Sequence, residues 1–596
     1  MKVSSWSIYA GAVVFVALLG GRPALGQIDT RPPDWKIDQN RADMESKLQQ
    51  NTTTHNKVPK EVKVTVDMDK VRTIMAPWAM GLHTTISDNQ LIGPEIPDLL
   101  HAAGITTLRY PGGRYSDTYH WSTYKPTNFQ GSGQPNAYYA PANHLGQFAL
   151  YIEHVGTTIF TVNYGSNLDG SAGADPAEAA SWVAYMNGTP ADSKVIGKDS
   201  TGYDWQTVGY WATLRASAPV DPDDGKNFLR IQHPAPFGIK YWEVGNEVFQ
   251  NGYYGGEGLE EDLHAPYPKE AKSNEKQRKK NASLSPDAYG KAVVQFAKAM
   301  KAVDPRIKIG VSLDLPVVGQ VNRSEWTEDP VTGKYVQDAA VSVDKDFGKS
   351  LDWDKGVLSV AGNDMDFVTL HWYAGATTEA SGWKDLDSYA LLGAPQDQLR
   401  PIMAGLADLL QKYCGANART KQFAFTELGP LPFAKVPESE EIVTGLFAAD
   451  AYPSLVEYGA VNIDWSELHN NSFLSQRNTP GPAYFGMQMV HAMLNFNDPM
   501  ILASSNSSML SVHAAKHQDG SLGLMLINKD PKNGTTVKVT VSGAKLASSG
   551  MRFDYGKTNL PSGNSVEGKP TAEVGVSFSV TMPPYTVTTL QIPKAQ

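Results

Sequence analysis

Cysteine is all but absent. Cys414 is the only one in 596 residues, so no intrachain disulfide can form, and its place at the end of an apolar-periodic segment predicts a buried, inert thiol. A membrane-length apolar run is lacking as well. The stretch from Ile8 to Leu19 is short, follows Lys2 and precedes Ala24-Leu25-Gly26, which is the layout of a secretory signal peptide, with the mature chain starting at Gln27. The expected destination is therefore secreted or periplasmic, with no membrane partner after cleavage. Positive charge is also in short supply. Cleavage would take Lys2 and Arg22 from the 52 basic residues and none from the 62 acidic ones, moving the formal charge from −10 to −12. Such a chain is poorly suited to nucleic acid or anionic lipid, while neutral, sugar-like molecules remain suitable partners. The lysine-rich "KEAKSNEKQRKKN" lies close to "EGLEED" and reads as a solvated loop. No H-E-x-x-H, G-x-S-x-G or G-x-x-x-x-G-K-[ST] pattern occurs. "DPDDG" (221–225) has Gln232 where a calcium loop needs Glu. No metal or other cofactor is expected.

What the chain has is rhythm. With 41% hydrophobic residues it can bury a large core. After a polar segment (27–60), a strand-like stretch (61–75) alternates apolar and polar residues. Eight apolar runs then follow: 79–85, 105–113, 157–165, 238–247, 306–314, 365–373, 421–429 and 460–469. Helical patterns lie between them, such as Tyr289, Val293, Phe296, Met300 and Val303. Eight alternations over residues 76–499 predict an α/β fold, a (β/α)₈ TIM barrel. From 500 to 596, short strand-like runs with Gly, Ser and Asn turns predict a C-terminal antiparallel β-sandwich, which 61–75 would join as an extra strand. Long loops are expected at 248–285 and 315–352.

In such a barrel the C-terminal ends of the strands face the site. Glu247 closes the fourth run and Glu427 the seventh, across the mouth from one another. Two carboxylates about 5 Å apart on either side of a glycosidic bond are what a retaining glycosidase needs. Glu243, deeper on the same face as Glu247, is expected to pair with Arg or Lys inside the barrel.

"EVGNE", "TELG", "LRYPGG" and "LHWY", on the fourth, seventh, second and sixth strands, together resemble the clan of retaining (β/α)₈ glycoside hydrolases. The likeness is strongest to the α-L-arabinofuranosidases of glycoside hydrolase family 51 and covers most of residues 61–596. The resemblance implies Glu247 as acid/base and Glu427 as nucleophile, with Asn246 donating to the sugar 2-hydroxyl. It also implies that Arg109 keeps the nucleophile ionised, and that His371 and Tyr373 orient it and line the subsite. Trp465, closing the eighth strand, is expected to be a sugar-stacking platform; Trp372, Tyr253 and Tyr254 are weaker candidates. Two positions depart from the family pattern. Arg114 follows "PGG" where Asn is usual, and Thr85 stands where the first-strand loop usually supplies Glu. Neither acts in bond cleavage, so they bear on which sugar is taken.

The expected substrate is an oligo- or polysaccharide, best an α-L-arabinofuranosyl side chain of a plant-type polymer, and oligomerisation is left open. An endo-β-1,4-glucanase or xylanase would use the same two glutamates. A non-catalytic carbohydrate-binding protein would have no use for both.

Overall fold

The computed structural model describes residues 57–126, 138–251, 261–265, 281–315, 326–328, 335–337, 344–374, 376–378, 382–384, 388–430 and 441–595. The stretch expected to be a signal peptide, most of the polar segment after it, most of the two long loops, and Tyr253 and Tyr254 lie outside the described residues.

All eight predicted runs become strands of one closed parallel barrel. In chain order they are Met80–His83, Thr107–Tyr110, Thr157–Val162, Tyr241–Val244, Lys308–Ser312, Phe367–Ala374, Gln422–Pro430 and Asn462–Ser466. The eighth closes on the first, with Ile463 beside Met80 and Ser466 beside His83. Alternation sorts the side chains of each strand. Outward-facing Leu82, Leu108, Phe160, Trp242, Trp372 and Trp465 are buried against the surrounding helices. Inward-facing Ile159, Tyr241, Phe367 and Ala424 form an apolar plug low in the barrel. One step higher the interior turns polar, with Arg109, Thr161 and Thr426 all donating to Glu243.

The residues after the barrel form a nine-stranded sheet curled around its own core of Val64, Leu524, Val539, Val580 and Leu590. Glu61–Ile74 is part of it. That strand runs antiparallel to Pro499–Ser505 and parallel to Thr535–Ser542, so the sheet is mixed at this one position. The parallel pair arises because this strand comes from ahead of the barrel and enters from the opposite end of the chain.

Helix Ile442–Glu457, buried along nearly its whole length, lies between barrel and sheet. Its Asp450 carboxylate meets His513 Nε2 at 2.8 Å, Lys529 Nζ at 2.8 Å and the Ser511 hydroxyl at 2.7 Å. Glu457 takes His513 Nδ1 at 2.9 Å and Arg72 at 2.8 Å. Among the described residues no helix is long and apolar enough to cross a membrane. Cys414 is buried, and burial pushes its thiol up.

Candidate active site

The hub of the mouth is Arg109, fully buried on the second strand. Its Nε donates to Glu243 Oε2 at 2.8 Å, Nη1 to Glu427 Oε1 at 2.9 Å and Nη2 to Asn246 Oδ1 at 2.8 Å. His83 Nδ1 lies 3.0 Å from Nη1. A guanidinium presents its donors in a rigid fork, so one side chain fixes acceptors from the fourth and seventh strands at once. Glu243 is the interior partner expected of it. Thr161 and Thr426 hydroxyls also donate to that carboxylate, at 2.7 and 3.2 Å. Burial works against its charge and is outweighed by Arg109 and then His371, so it is held below the usual carboxylate range.

Local backbone chemistry aims the two outer glutamates. The "PGG" turn after the second strand needs its glycine: Gly112 has φ +92°, and a Cβ there would sit 1.5 Å from the Thr84 carbonyl oxygen. After the fourth strand, Gly245 at φ +71° and Glu247 in the left-handed region at φ +40° break the strand alternation and turn Glu247 toward the mouth. On the seventh strand the device is a bulge. Leu370 pairs with Phe425 but His371 with Glu427, and on the other side Phe425 pairs with Ile463 but Leu428 with Trp465. The extra residue lets Thr426 and Glu427 both reach the interior groups, whereas strict alternation would have sent Glu427 outward to the helices.

Glu427 is buried and heavily donated to. Besides Arg109 it takes the Tyr373 hydroxyl on Oε2, and Tyr373 in turn is 2.9 Å from Ser466 Oγ. Burial opposes its charge, but His371, His83, Arg109 and the Tyr373 bond overcome it and bring its pKa down to about 2. His83 goes the opposite way from an exposed histidine with an acid neighbour: burial dominates and lowers it to about 4, leaving a neutral ring beside Arg109. His371 Nδ1 lies 2.7 Å from Glu247 Oε1 and 3.6 Å from Glu427 Oε2. Burial would lower it, yet Glu427 and then Glu247 raise it. Gln250 Nε2 donates to the other Glu247 oxygen at 2.9 Å. A carboxylate oxygen from each glutamate and the His371 nitrogen all fall within 4.8 Å of one another.

Glu247, Glu427, Arg109, Asn246, His371 and Tyr373 thus converge on one mouth. Trp465 does not, and its assignment as a sugar platform is corrected. It is 0% exposed, its indole N–H donates to Ser472 Oγ at 2.9 Å, and its ring packs on Phe447. The reason is parity: on Asn462–Ser466, Asp464 and Ser466 face inward and Trp465 faces the helices. Trp372 is buried likewise, beside Phe447. Thr85 bonds Ser87 in the turn after the first strand, and Arg114 lies in the short helical turn Gly113–Asp117. Sequence reasoning passed over His83, Ser466 and Gln250. It also passed over Glu467, whose carboxyl is pushed up to about 7 by burial, Asp88 and Glu427. His83 and Ser466 were findable, since each ends a barrel strand on the inward parity.

The barrel and its mouth define the class: a (β/α)₈ protein carrying two opposed carboxylates at the separation a retaining glycosidase uses. No family model matches the chain. Among curated proteins it is similar to the probable α-L-arabinofuranosidase C of Aspergillus fumigatus, 27% identical over 247 residues, which cover 40% of this chain and 35% of that protein. It is also similar to the intracellular exo-α-(1→5)-L-arabinofuranosidase of Bifidobacterium longum, 24% identical over 373 residues, 60% of this chain and 48% of that one. The chain spans about a third of the length of the fungal relatives it matches. Its fold is that of the α-L-arabinofuranosidase of Thermotoga maritima, with TM-score 0.60, 17% identity, and 89% of this chain and all of that one covered. A family 44 xyloglucanase of Paenibacillus polymyxa shares it at TM-score 0.55, with 14% identity and coverage of 90% and 100%. The chain is therefore homologous to α-L-arabinofuranosidases in sequence and shares their architecture.

Proposed function

We propose that this protein is a retaining glycoside hydrolase that releases α-L-arabinofuranosyl groups from oligo- or polysaccharides. The observation that carries it is the pair itself. Glu247 and Glu427 reach one point in the mouth from the fourth and seventh strands, within 4.8 Å of each other and of His371. That spacing suits double displacement and leaves no room for the water an inverting enzyme places between its acids.

Glu427, ionised by its donors, attacks the anomeric carbon as Glu247 gives its proton to the departing glycosidic oxygen. A glycosyl ester on Glu427 results. Glu247, now a carboxylate, takes a proton from water, which attacks the same carbon and frees Glu427. Arg109 holds one oxygen of the nucleophile and Tyr373 the other, which fixes the carboxylate in place for attack. Arg109 also holds the Asn246 carbonyl, so the amide's N–H₂ side is the one turned from the guanidinium, fit to donate to a sugar 2-hydroxyl as charge develops at the ring.

The choice of furanoside rests on the curated relatives' names, since the xyloglucanase shares the fold nearly as well. Export rests on the leader-like N-terminus. Aryl α-L-arabinofuranoside, β-glucoside and β-xyloside assayed side by side test the substrate: the first is expected to turn over at least tenfold faster. Faster cleavage of either β-pyranoside would move the assignment to the glucanase or xylanase reading, and no turnover of any would refute catalysis.

A further inference from the structure

On the flank of the barrel, away from the mouth residues, a hairpin of residues 194–207 leads into helix Val208–Ala216. The hairpin is firmly built. Val195 bridges Thr207 and Lys198 bridges Asp204, while Asp199 Oδ1 gathers the Thr201 and Tyr203 backbone N–H groups at 2.9 and 3.0 Å. It is tied to the barrel by Ser200 N–H on Asp175 Oδ2 at 3.0 Å and by Lys194 Nζ on the Ala302 carbonyl at 2.7 Å. Beneath it Trp205 and Trp211 are fully buried, with their indole N–H groups bonded to Asp199 Oδ2 and the Trp205 carbonyl.

On this base stand two rings that the fold leaves in water. Tyr203 is 38% and Tyr210 39% exposed, each leaning on its own tryptophan at ring separations of 4.8 and 5.0 Å. Both hydroxyls lack a hydrogen-bond partner among the described residues. The two supporting tryptophans are themselves in contact, with ring centres 6.1 Å apart, so both tyrosines stand on one aromatic base. Asp199 and Asp204 lie beside Tyr203 in the hairpin, while Asp224, near Tyr210, is paired with Arg230 at 2.6 Å and Lys226 Nζ lies 5.4 Å from the Trp211 ring centre.

We propose that Tyr203 and Tyr210 form a second, non-catalytic binding site for a neutral polysaccharide chain. The inference rests on the carbohydrate reading above and adds a place on this protein where the polymer is held. Ring faces fixed from below offer the C–H faces of sugar rings a contact at little entropic cost, and the two hydroxyls can bond sugar hydroxyls at the edge. The Asp199 and Asp204 carboxylates, which form no ion pair among the described residues, repel an acidic polymer, so the chemistry selects an uncharged one.

The test reads binding without turnover. Native gels containing arabinan, arabinoxylan or polygalacturonate are run with the Glu427→Ala protein, with and without Tyr203→Ala and Tyr210→Ala together. Melting temperatures check that the exposed substitutions leave the fold intact. The expected result is retardation by at least one neutral polymer, an apparent Kd at least tenfold higher in the double variant, and none by polygalacturonate. The site is overturned if no neutral polymer retards the parent, if the double variant binds within twofold of it, or if polygalacturonate retards it as strongly. Because none of these readings depends on hydrolysis, failure of the catalytic assignment would show separately, in the aryl glycoside assays.

Discussion

Two buried clusters of charge in this molecule are built from the same parts and differ in how they end. In the barrel mouth Arg109 joins Glu243, Glu427 and Asn246, with His83 and His371 alongside. Between helix Ile442–Glu457 and the sheet, Asp450 and Glu457 face His513, Lys529 and Arg72. The second cluster is closed, for the Asp450 side chain is 1% and the His513 side chain 6% exposed, with both carboxylate oxygens and both ring nitrogens bonded inside it. The first is closed on one side only. Donors hold Glu427 from the barrel interior, while Glu247 reaches the mouth from a turn with side-chain exposure of 18%. A sealed network of charge stabilises; one left open on a single side, with a second acid across the gap, is equipped for chemistry.

Substitutions should break this comparison in opposite ways. Glu427→Ala should lower kcat by roughly 10⁴-fold or more while the melting temperature stays near that of the parent, as steady-state kinetics and calorimetry would show. Glu247→Ala should cost roughly 10²- to 10⁴-fold. Azide or an aryl substrate with a good leaving group should restore part of it, since protonation of the leaving oxygen is then dispensable. Asp450→Ala should do the reverse, destabilising the fold by about 3–5 kcal/mol in denaturant melts because His513 and Lys529 are left buried without their partner, with kcat per folded molecule unchanged. Tyr373→Phe should cost about 10- to 100-fold in kcat/KM, the worth of one hydrogen bond to a charged group. Without that donor the Glu427 pKa rises from about 2 toward the ordinary carboxylate range, so the acid limb of kcat/KM should move up in pH.

The smallest effect sharpens the contrast through pH. His513 is raised to about 9, its two carboxylates overcoming burial. Its contribution to stability is whole below its unfolded value of about 6.5 and is lost as pH climbs through 9. Asp450 is depressed, burial being outweighed by Lys529 and His513. Its contribution is present above about 3.9 and fades as pH falls below that. Melting temperature should therefore be flat between about pH 4.5 and 6.5 and decline on both sides. A double variant lacking both Asp450 and His513 should lose most of that dependence.

The sequence made the barrel legible because each strand repeats one physical need, an apolar outward face every second residue, and eight such runs alternate with helical spacing. Glu247 and Glu427 were legible as acids at strand ends, and Glu243 as an interior partner for a cation. Direction was harder. Trp465 was misplaced because a strand-end position says nothing of parity, and Asp464 and Ser466 hold the inward places. Glu427 faces the mouth only through the bulge at Thr426, a register feature decided by pairing with two neighbouring strands. The sealed cluster left no trace at all. Asp450 and His513 lie 63 residues apart on a helix and a strand, and only the docking of sheet on barrel brings them together.

Double displacement requires Glu247 and Glu427 to act from opposite faces of one sugar, which the anomeric configuration of the first product reports directly. Proton NMR during the first minutes of aryl α-L-arabinofuranoside hydrolysis should show the α-anomer of the released sugar, formed with net retention. Appearance of the β-anomer first would contradict the double displacement and the carboxylate geometry it rests on.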